Sequence, residues 1–273
     1  MRNHKKYEFT GTEGELRAMT RDLDGLHNDV GMPAMWSGVS EIVDTLHDDG
    51  LSRPTSRRGF LLGAGGVLAS GAALLSIGSN PLLAGAAQHS IAKGGSLSSR
   101  SFPAPGLKGD LAVAAVAASL ENLAAYAYEA GLAAAKAGKL GTVPPAVATF
   151  ATTALGQHQQ HALAWNAVLK GAGKPKVTVT NPTLTPIVQN DFAKVTSVAG
   201  LANLALTLET IAAETYQAET SKLMSPSAIG LSASIQPVEM QHIAILYYVL
   251  GEYPGVQTPS GRPLAFSPID KAA

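Results

Sequence analysis

Two pairs of metal-binding residue types, each spaced three apart, are the most informative feature of this sequence. His158 and His161 lie in the stretch GQHQQHALAW, and Glu239 and His242 lie in VEMQHIAIL. Positions i and i+3 share one face of an α-helix, so each pair would present two donors side by side. Imidazole nitrogens and carboxylate oxygens together suit iron, manganese or zinc. Each pair therefore predicts part of a metal site.

Two further carboxylates lie midway along segments whose other residues are nearly all apolar. Glu121 is in LENLAAYAYEA and Glu209 is in LETIAAETYQA. A lone carboxylate in such a helix would carry a large desolvation cost. Bundling the helices would bring six side chains together in the core, where they need a cation: Glu121, His158, His161, Glu209, Glu239 and His242.

Four long helical patterns position these residues. They cover about 110–138, 144–170, 197–224 and 225–251, and Pro237 is expected to interrupt or kink the last one. The stretch GKPKVTVTNPTLTP, between the second and third patterns, is too long for a tight helix–helix turn. The sequence therefore predicts an all-α four-helix bundle with a long crossover between helices two and three.

The two halves of this bundle resemble each other. The segments that contain Glu121 and Glu209 align without a gap, as do those that contain His161 and His242. We interpret this as an internal repeat of a two-helix unit, joined by the crossover.

An export signal is predicted in an unusual place. Residues 56–62 read SRRGFLL, a weakly hydrophobic run follows, and AGA at 84–86 is a small-residue cleavage signal. This resembles a twin-arginine signal, with Arg57 and Arg58 as its arginine pair. We therefore expect the twin-arginine translocation machinery as a partner, transient passage through the membrane and an exported location in the periplasm, cell wall or medium. An uncleaved signal would instead anchor the chain.

The segment before the signal has two alternative interpretations. Thr12 to Glu15 matches a capping box, and Leu16, Met19, Leu23 and Leu26 form a helical stripe. A second apolar stripe follows the break expected at Gly31–Pro33. The segment is either a small helical hairpin or a poorly ordered leader.

Composition, the predicted signal and the helical patterns together divide the chain into five parts. These are a leader (1–55), the signal segment (56–87), a linker (88–108), the bundle (109–252) and an irregular tail (253–273). The formal net charge is +0 with no basic patch, so nucleic acid is not an expected partner. The chain has no cysteines, which excludes thiolate metal sites and disulfides. An oligomer remains compatible with the sequence.

These motifs resemble the ferritin-like superfamily, in particular its exported, non-cage branch with a twin-arginine leader. The resemblance covers residues 110–251. It implies a dinuclear metal site in which Glu121 and Glu209 are terminal carboxylates and His161 and His242 are terminal imidazoles. Glu239 would be a bridging carboxylate.

His158 departs from the family pattern, which has a second bridging glutamate at that position. A neutral imidazole has one free lone pair and does not readily bridge two metals. The site could hold two iron or manganese ions, hold one, or have lost its metal. Zinc is compatible with the same ligands.

Tyr128 and Tyr216 lie seven residues after Glu121 and Glu209, on the same helix faces. One interpretation places them beside the metal, as hydrogen-bond donors or redox-active groups. The alternative is that they are core residues whose hydroxyls are bonded locally.

Two functions follow from these interpretations. The first is an exported metal-binding protein with an oxidase, peroxidase or oxidative-stress role, so that enzyme activity remains open. The alternative is a non-catalytic helical bundle with a degenerate site, which acts as a binding or envelope-stress protein.

Overall fold

The computed structural model describes residues 12–48 and 107–251, and every regular element within those ranges is helical. The predicted signal segment with Arg57 and Arg58, most of the linker and the predicted tail lie outside the described residues. The elements are α1 (Glu13–Leu26), a π-helical turn (His27–Gly31), α2 (Met32–Asp48), α3 (Asp110–Lys136), α4 (Pro145–Gly171), α5 (Thr185–Phe192), α6 (Val198–Thr220) and α7 (Pro226–Val249).

The predicted four-helix bundle is confirmed as α3, α4, α6 and α7. Helix α3 packs on α4 and α6, and α6 packs on α7. The Asp110 carboxylate at the start of α3 accepts hydrogen bonds from the Met224 and Ser225 amides, both at 2.9 Å, just beyond the end of α6. Helix α6 therefore runs antiparallel to α3, as α4 does. Because α4 and α6 are parallel, the chain between them must return along the bundle.

That return segment lies along α3 and contains the short helix α5, which the sequence reading did not predict. The Asn181 side chain accepts hydrogen bonds from the Thr183 and Leu184 amides at 3.1 Å, which organises the turn before the helix. The Asn181 backbone N–H donates to the Ser119 carbonyl at 3.1 Å, so the crossover is fixed to α3. The long connection is thus an ordered part of the fold.

Local signals set the bundle helix ends. Pro145 and Pro226 occupy first helical positions, where a proline loses no hydrogen bond. Gly138 and Gly173 have φ angles of 72° and 67° after α3 and α4, a conformation that glycine adopts at little cost. The predicted interruption at Pro237 is wrong, since Pro237 lies inside a continuous α7.

Helix α3 is long and apolar enough to cross a membrane, by length and composition alone. However, 72% of its most apolar window is buried inside the protein, as expected of a core helix.

The segment before the predicted signal forms a helical arm, defined here as residues 13–48. It packs in the groove between α4 and α7. The predicted capping box is present, because Thr12 Oγ1 accepts from the Glu15 amide at 3.1 Å and the Glu15 carboxylate lies 3.4 Å from the Thr12 amide. Leu16 and Leu23 are buried as expected, but Leu26 is 53% exposed.

The arm is not the expected hairpin, because α1 and α2 follow one another end to end. The break expected at Gly31–Pro33 is absent, and the helix passes through the π-helical turn. The Met32 amide donates to the His27 carbonyl, five residues back. This wider turn accommodates Pro33, whose ring would clash with the carbonyl four residues earlier in a regular α-helix.

Candidate metal centre

All six predicted ligand side chains meet inside the bundle. None of them is more than 2% exposed. Helix α3 contributes Glu121, α4 contributes both histidines of its pair, α6 contributes Glu209, and α7 contributes Glu239 and His242. The i, i+3 spacing therefore places both donors of each pair on the inward helix face.

The six residues form two overlapping groups, each able to hold a metal ion. One group is Glu121, His158, His161 and Glu239, and the other is His158, Glu209, Glu239 and His242. Within each group, one donor atom per residue lies within 4.8 Å of the others. Glu239 and His158 belong to both groups. Glu239 thus lies where the resemblance expects a bridging carboxylate, and His158 is the second shared residue.

Glu239 directs one oxygen towards each half of the cluster. Its Oε1 lies 3.1 Å from His161 Nδ1, and its Oε2 lies 3.7 Å from His242 Nδ1. The terminal carboxylates follow the same division: Glu121 Oε2 is 3.4 Å from His161 Nδ1, and Glu209 Oε2 is 3.3 Å from His242 Nδ1. Each terminal imidazole therefore presents Nδ1 to two carboxylates.

Several of these buried donor atoms make no well-aligned hydrogen bond, although most of them face an oppositely charged group. They are both oxygens of Glu239, Glu209 Oε2, His242 Nδ1 and both nitrogens of His161. A buried polar atom without a partner costs about 1–3 kcal/mol, and more if it is charged. A cation between them would satisfy these atoms, so this donor set fits a metal.

His158 lies between the terminal carboxylates of the two halves. Its Nδ1 is 2.8 Å from Glu121 Oε2, and its Nε2 is 3.1 Å from Glu209 Oε1. Burial disfavours the charged imidazole, but Glu209 and then Glu239 outweigh it and raise the pKa of His158 well above its usual value. In the metal-free protein His158 is therefore an imidazolium that links the two halves.

The other ligands are coupled in the same way. Burial opposes ionisation of Glu121, but His161 and His158 hold its pKa at about 2. Burial also opposes protonation of His161, yet Glu121 and Glu239 raise its pKa to about 9. The pKa of Glu209 is lowered and that of His242 is raised, because their mutual attraction exceeds the cost of burial. A metal ion would have to displace protons from these imidazoles.

The Tyr128 and Tyr216 hydroxyls each bond to a carboxylate of the cluster that lies in the other predicted half of the bundle. The Tyr128 hydroxyl donates to Glu209 Oε1 at 2.5 Å, and the Tyr216 hydroxyl donates to Glu121 Oε1. Each tyrosine thus orients the terminal carboxylate of the opposite half. The Trp165 indole N–H also donates to the Tyr216 oxygen at 2.9 Å.

The sequence reading did not include His27 in the arm, which lies against His161 with ring centroids 5.3 Å apart. Burial lowers the pKa of His27 to about 4, so its imidazole is neutral at pH 7. His27 continues the helical stripe of Leu16 and Leu23, and that position could have predicted its burial. The predicted export signal lies between the arm and the bundle in the sequence, and nothing in that order indicates that the two pack together.

In a comparison with protein-family models, residues 109–252 match the ferritin-like domain. No match was found among curated proteins or among solved structures. The matched residues are just over half of the chain and contain all four bundle helices with the six clustered side chains. The chain therefore belongs to the ferritin-like domain family.

Proposed function

We propose that this protein binds two redox-active divalent metal ions, iron or manganese, in the cluster between α3, α4, α6 and α7. The observation that carries the proposal is the pair of four-residue groups of buried donors, in which several atoms make no well-aligned hydrogen bond. Glu121 with His161, and Glu209 with His242, would be the terminal ligands of the two ions. Glu239 would contribute to both.

The proposed role is oxidation by dioxygen or peroxide, which are the oxidants that bound iron or manganese activates. The protein's part is to exclude water and to fix the ligands. Tyr128 and Tyr216 hold the terminal carboxylates by donating a hydrogen bond from each hydroxyl. Phe150 shields the other side, with its ring 6.0 Å from that of His242.

An apolar cavity beside the cluster favours a small apolar oxidant such as dioxygen over a polar one. It is lined by residues of α3, α4, α6 and α7 and reaches both Tyr128 and Phe150. The Tyr128 ring stacks on His158 with centroids 5.5 Å apart. The cavity therefore ends one side chain away from the proposed metal centre.

The first test is elemental analysis of the full chain, purified without chelators and then incubated with Fe²⁺. We expect about two iron ions per chain, and proton release on binding. His158→Glu restores the carboxylate that the family has at this position and should tighten binding. A Glu239→Ala variant should lose both ions, whereas Glu129→Gln, at an exposed position on α3, should lose neither. No bound iron or manganese in the wild-type chain would end this proposal.

A second candidate function, a non-catalytic binding or envelope-stress protein, is favoured by His158 itself. Its imidazolium already pairs with Glu121 and Glu209 and partly substitutes for a metal charge. This candidate predicts a stable, metal-free protein, in which removing a ligand leaves the cellular phenotype unchanged.

We also propose export through the twin-arginine route, supported by the SRRGFLL motif and by a domain that would need to fold around its metal before transport. Replacing Arg57 and Arg58 together by lysine should retain the protein in the cytoplasm, as measured by cell fractionation. The arm precedes this signal, so cleavage after Ala86 would place arm and bundle on separate peptides. Unchanged export of the double variant would contradict the proposal.

A further inference from the structure

The N-terminal arm covers the two helices that carry most of the proposed ligands. Helices α1 and α2 pack on α4 and α7. Among residues 13–46 of the arm, whose side chains the structure describes, the inward stripe contains one ionisable residue, His27, which is 2% exposed. His27 begins the π-helical turn, and such turns are frequent at functional sites. The arm therefore delivers a single imidazole to the centre of this interface.

The His27 ring lies against the ring of His161. The two rings are edge-on, with centroids 5.3 Å apart and an interplanar angle of 69°. His161 presents Nδ1 to Glu239 and Glu121, at 3.1 and 3.4 Å. Its Nε2 is buried without a hydrogen-bond partner, and so is His27 Nδ1. Two rings in contact thus each carry a partnerless nitrogen.

The hydrogen bonds around these rings make His27 Nδ1 an acceptor and, when a metal is bound, His161 Nε2 a donor. His27 Nε2 lies 2.6 Å from Gln160 Oε1, and a carbonyl oxygen only accepts, so the His27 proton is on Nε2. His27 Nδ1 is then an acceptor. If His161 binds a metal through Nδ1, its own proton is on Nε2, which becomes a donor.

The arm also approaches the outer nitrogen of the second terminal imidazole. His242 Nε2 lies 2.8 Å from Gln157 Oε1, and the Gln157 amide nitrogen is 3.5 Å from Asp24 Oδ1 in α1. The outer hydrogen bond of a metal-bound histidine fixes its tautomer and ring orientation, and its loss typically weakens metal binding about 10–100-fold.

We propose that the arm completes this metal centre and that His27 is a positioning residue for His161. In the metal-bound protein, His27 Nδ1 accepts a hydrogen bond from His161 Nε2–H, while Gln160 holds His27 in the required tautomer. Asp24 supports His242 through Gln157, at longer range. This inference rests on the proposed function, because it concerns how the arm tunes a bound metal.

The test uses the full chain and Co²⁺ alone, a metal whose visible absorption reports ligand geometry. Dissociation constants, rates of Co²⁺ transfer to a chelator and absorption spectra are compared for four variants. His27→Leu removes both nitrogens, and we expect Co²⁺ binding about 10–100-fold weaker, faster transfer and a changed spectrum. In His27→Asn, Oδ1 takes the place of Nδ1, so affinity and spectrum should remain close to those of the wild type. In His27→Gln, the amide reaches Gln160 instead, and the loss should match that of His27→Leu.

The control is Asn28→Ala, at the next residue of the same π-helical turn but exposed to solvent. It should bind Co²⁺ as the wild type does. Wild-type affinity and spectrum in His27→Leu would overturn the inference, and so would an equal loss in His27→Asn and His27→Leu, which would indicate packing alone. If His27→Leu releases the arm, as measured by circular dichroism, the comparison of the Asn and Gln variants decides. A wild-type chain that binds no Co²⁺, Fe²⁺ or Mn²⁺ would instead remove the proposed function, and this inference with it.

Discussion

The four-helix bundle and the N-terminal arm are both helical, but they depend on their surroundings in opposite ways. The bundle helices bury residues around most of their circumference; α3, for example, has fourteen buried residues. Together these helices enclose the polar cluster. The arm has one narrow buried stripe, and its apolar side chains are covered by α4 and α7. The comparison indicates that the bundle organises itself, whereas the arm is organised by the bundle.

The largest expected effect comes from removing the arm. Deleting residues 1–48 uncovers the face of α4 and α7 that Leu16, Leu23 and Met35 bury, all at most 2% exposed. Because each buried side chain of this size contributes about 1.5–3 kcal/mol, the free energy of unfolding should fall by at least about 3 kcal/mol. Denaturant titration followed by circular dichroism measures the loss.

The matched control for the deletion is Leu26→Ala, an apolar arm residue that is 53% exposed. Its effect should stay within about 0.5 kcal/mol. We expect the shortened chain to keep its bundle helices. If deletion left stability unchanged, the arm would not depend on the bundle in the way described here.

The pH dependence should separate the two regions in the metal-free protein. Burial lowers the pKa of His27 to about 4, so arm docking is fully favoured above about pH 6.5 and weakens as the pH falls towards 4. The bundle behaves differently. Because Glu121 and Glu239 raise the pKa of His161 to about 9, its contribution is complete below about pH 6.5 and is lost as pH rises through 9.

Glu121 sets the acid limit of the bundle. Its pKa of about 2 means that its contribution is present above about pH 4.5 and is lost as pH falls through 2. Between pH 6.5 and 4.5 the arm should therefore loosen while the bundle cluster keeps its stability. The chain offers two reporters, since its two tryptophans are Trp36 in the arm and Trp165 in the bundle.

Fluorescence of Trp36→Phe and Trp165→Phe variants would follow each region alone. We expect the arm signal to change first on acidification, and His27→Leu to abolish that early change. A single transition shared by both tryptophans would contradict independent behaviour of the arm.

The same contrast explains what the sequence could predict. The bundle and its six clustered residues were predictable because the information is local: i, i+3 pairs, carboxylates in apolar helices, and a second copy of each. His158 was recognised as a departure, but its position between Glu121 and Glu209 depends on how four helices pack. The hydrogen bonds that Tyr128 and Tyr216 make across the bundle were equally inaccessible, since the periodicity places a residue on a face without naming its partner.

The arm was harder to predict because its position depends on contacts with residues that are distant in the sequence. Its apolar stripe predicted burial, but no residue of the arm indicates which surface covers it. His27 and His161 lie far apart in the sequence, on either side of the predicted signal. Gly31 and Pro33 ordinarily end a helix, and the π-helical turn that carries the chain past them has no simple sequence signature.

The smallest predicted effect comes from adding one methyl group at the contact between the arm and the bundle. A methyl group added at Gly171, the last residue of α4, would clash with Val43 Cγ2 and lie 3.2 Å from Val43 Cβ. Rotating the valine side chain cannot relieve the second contact. Gly171→Ala should therefore loosen the arm and lower stability by about 1–3 kcal/mol, the usual cost of overpacking.

The matched substitution on the same helix is Gly156→Ala, where an added methyl group meets nothing within 4 Å. It should stabilise the protein by about 0.5–1 kcal/mol, because alanine is the better helix former. Adding Val43→Ala to Gly171→Ala should restore part of the loss by making room at the contact. If Gly171→Ala and Gly156→Ala shifted the unfolding midpoint in the same direction, the arm would not approach α4 as closely at Gly171, and its docking would rest on the stripe around His27 alone.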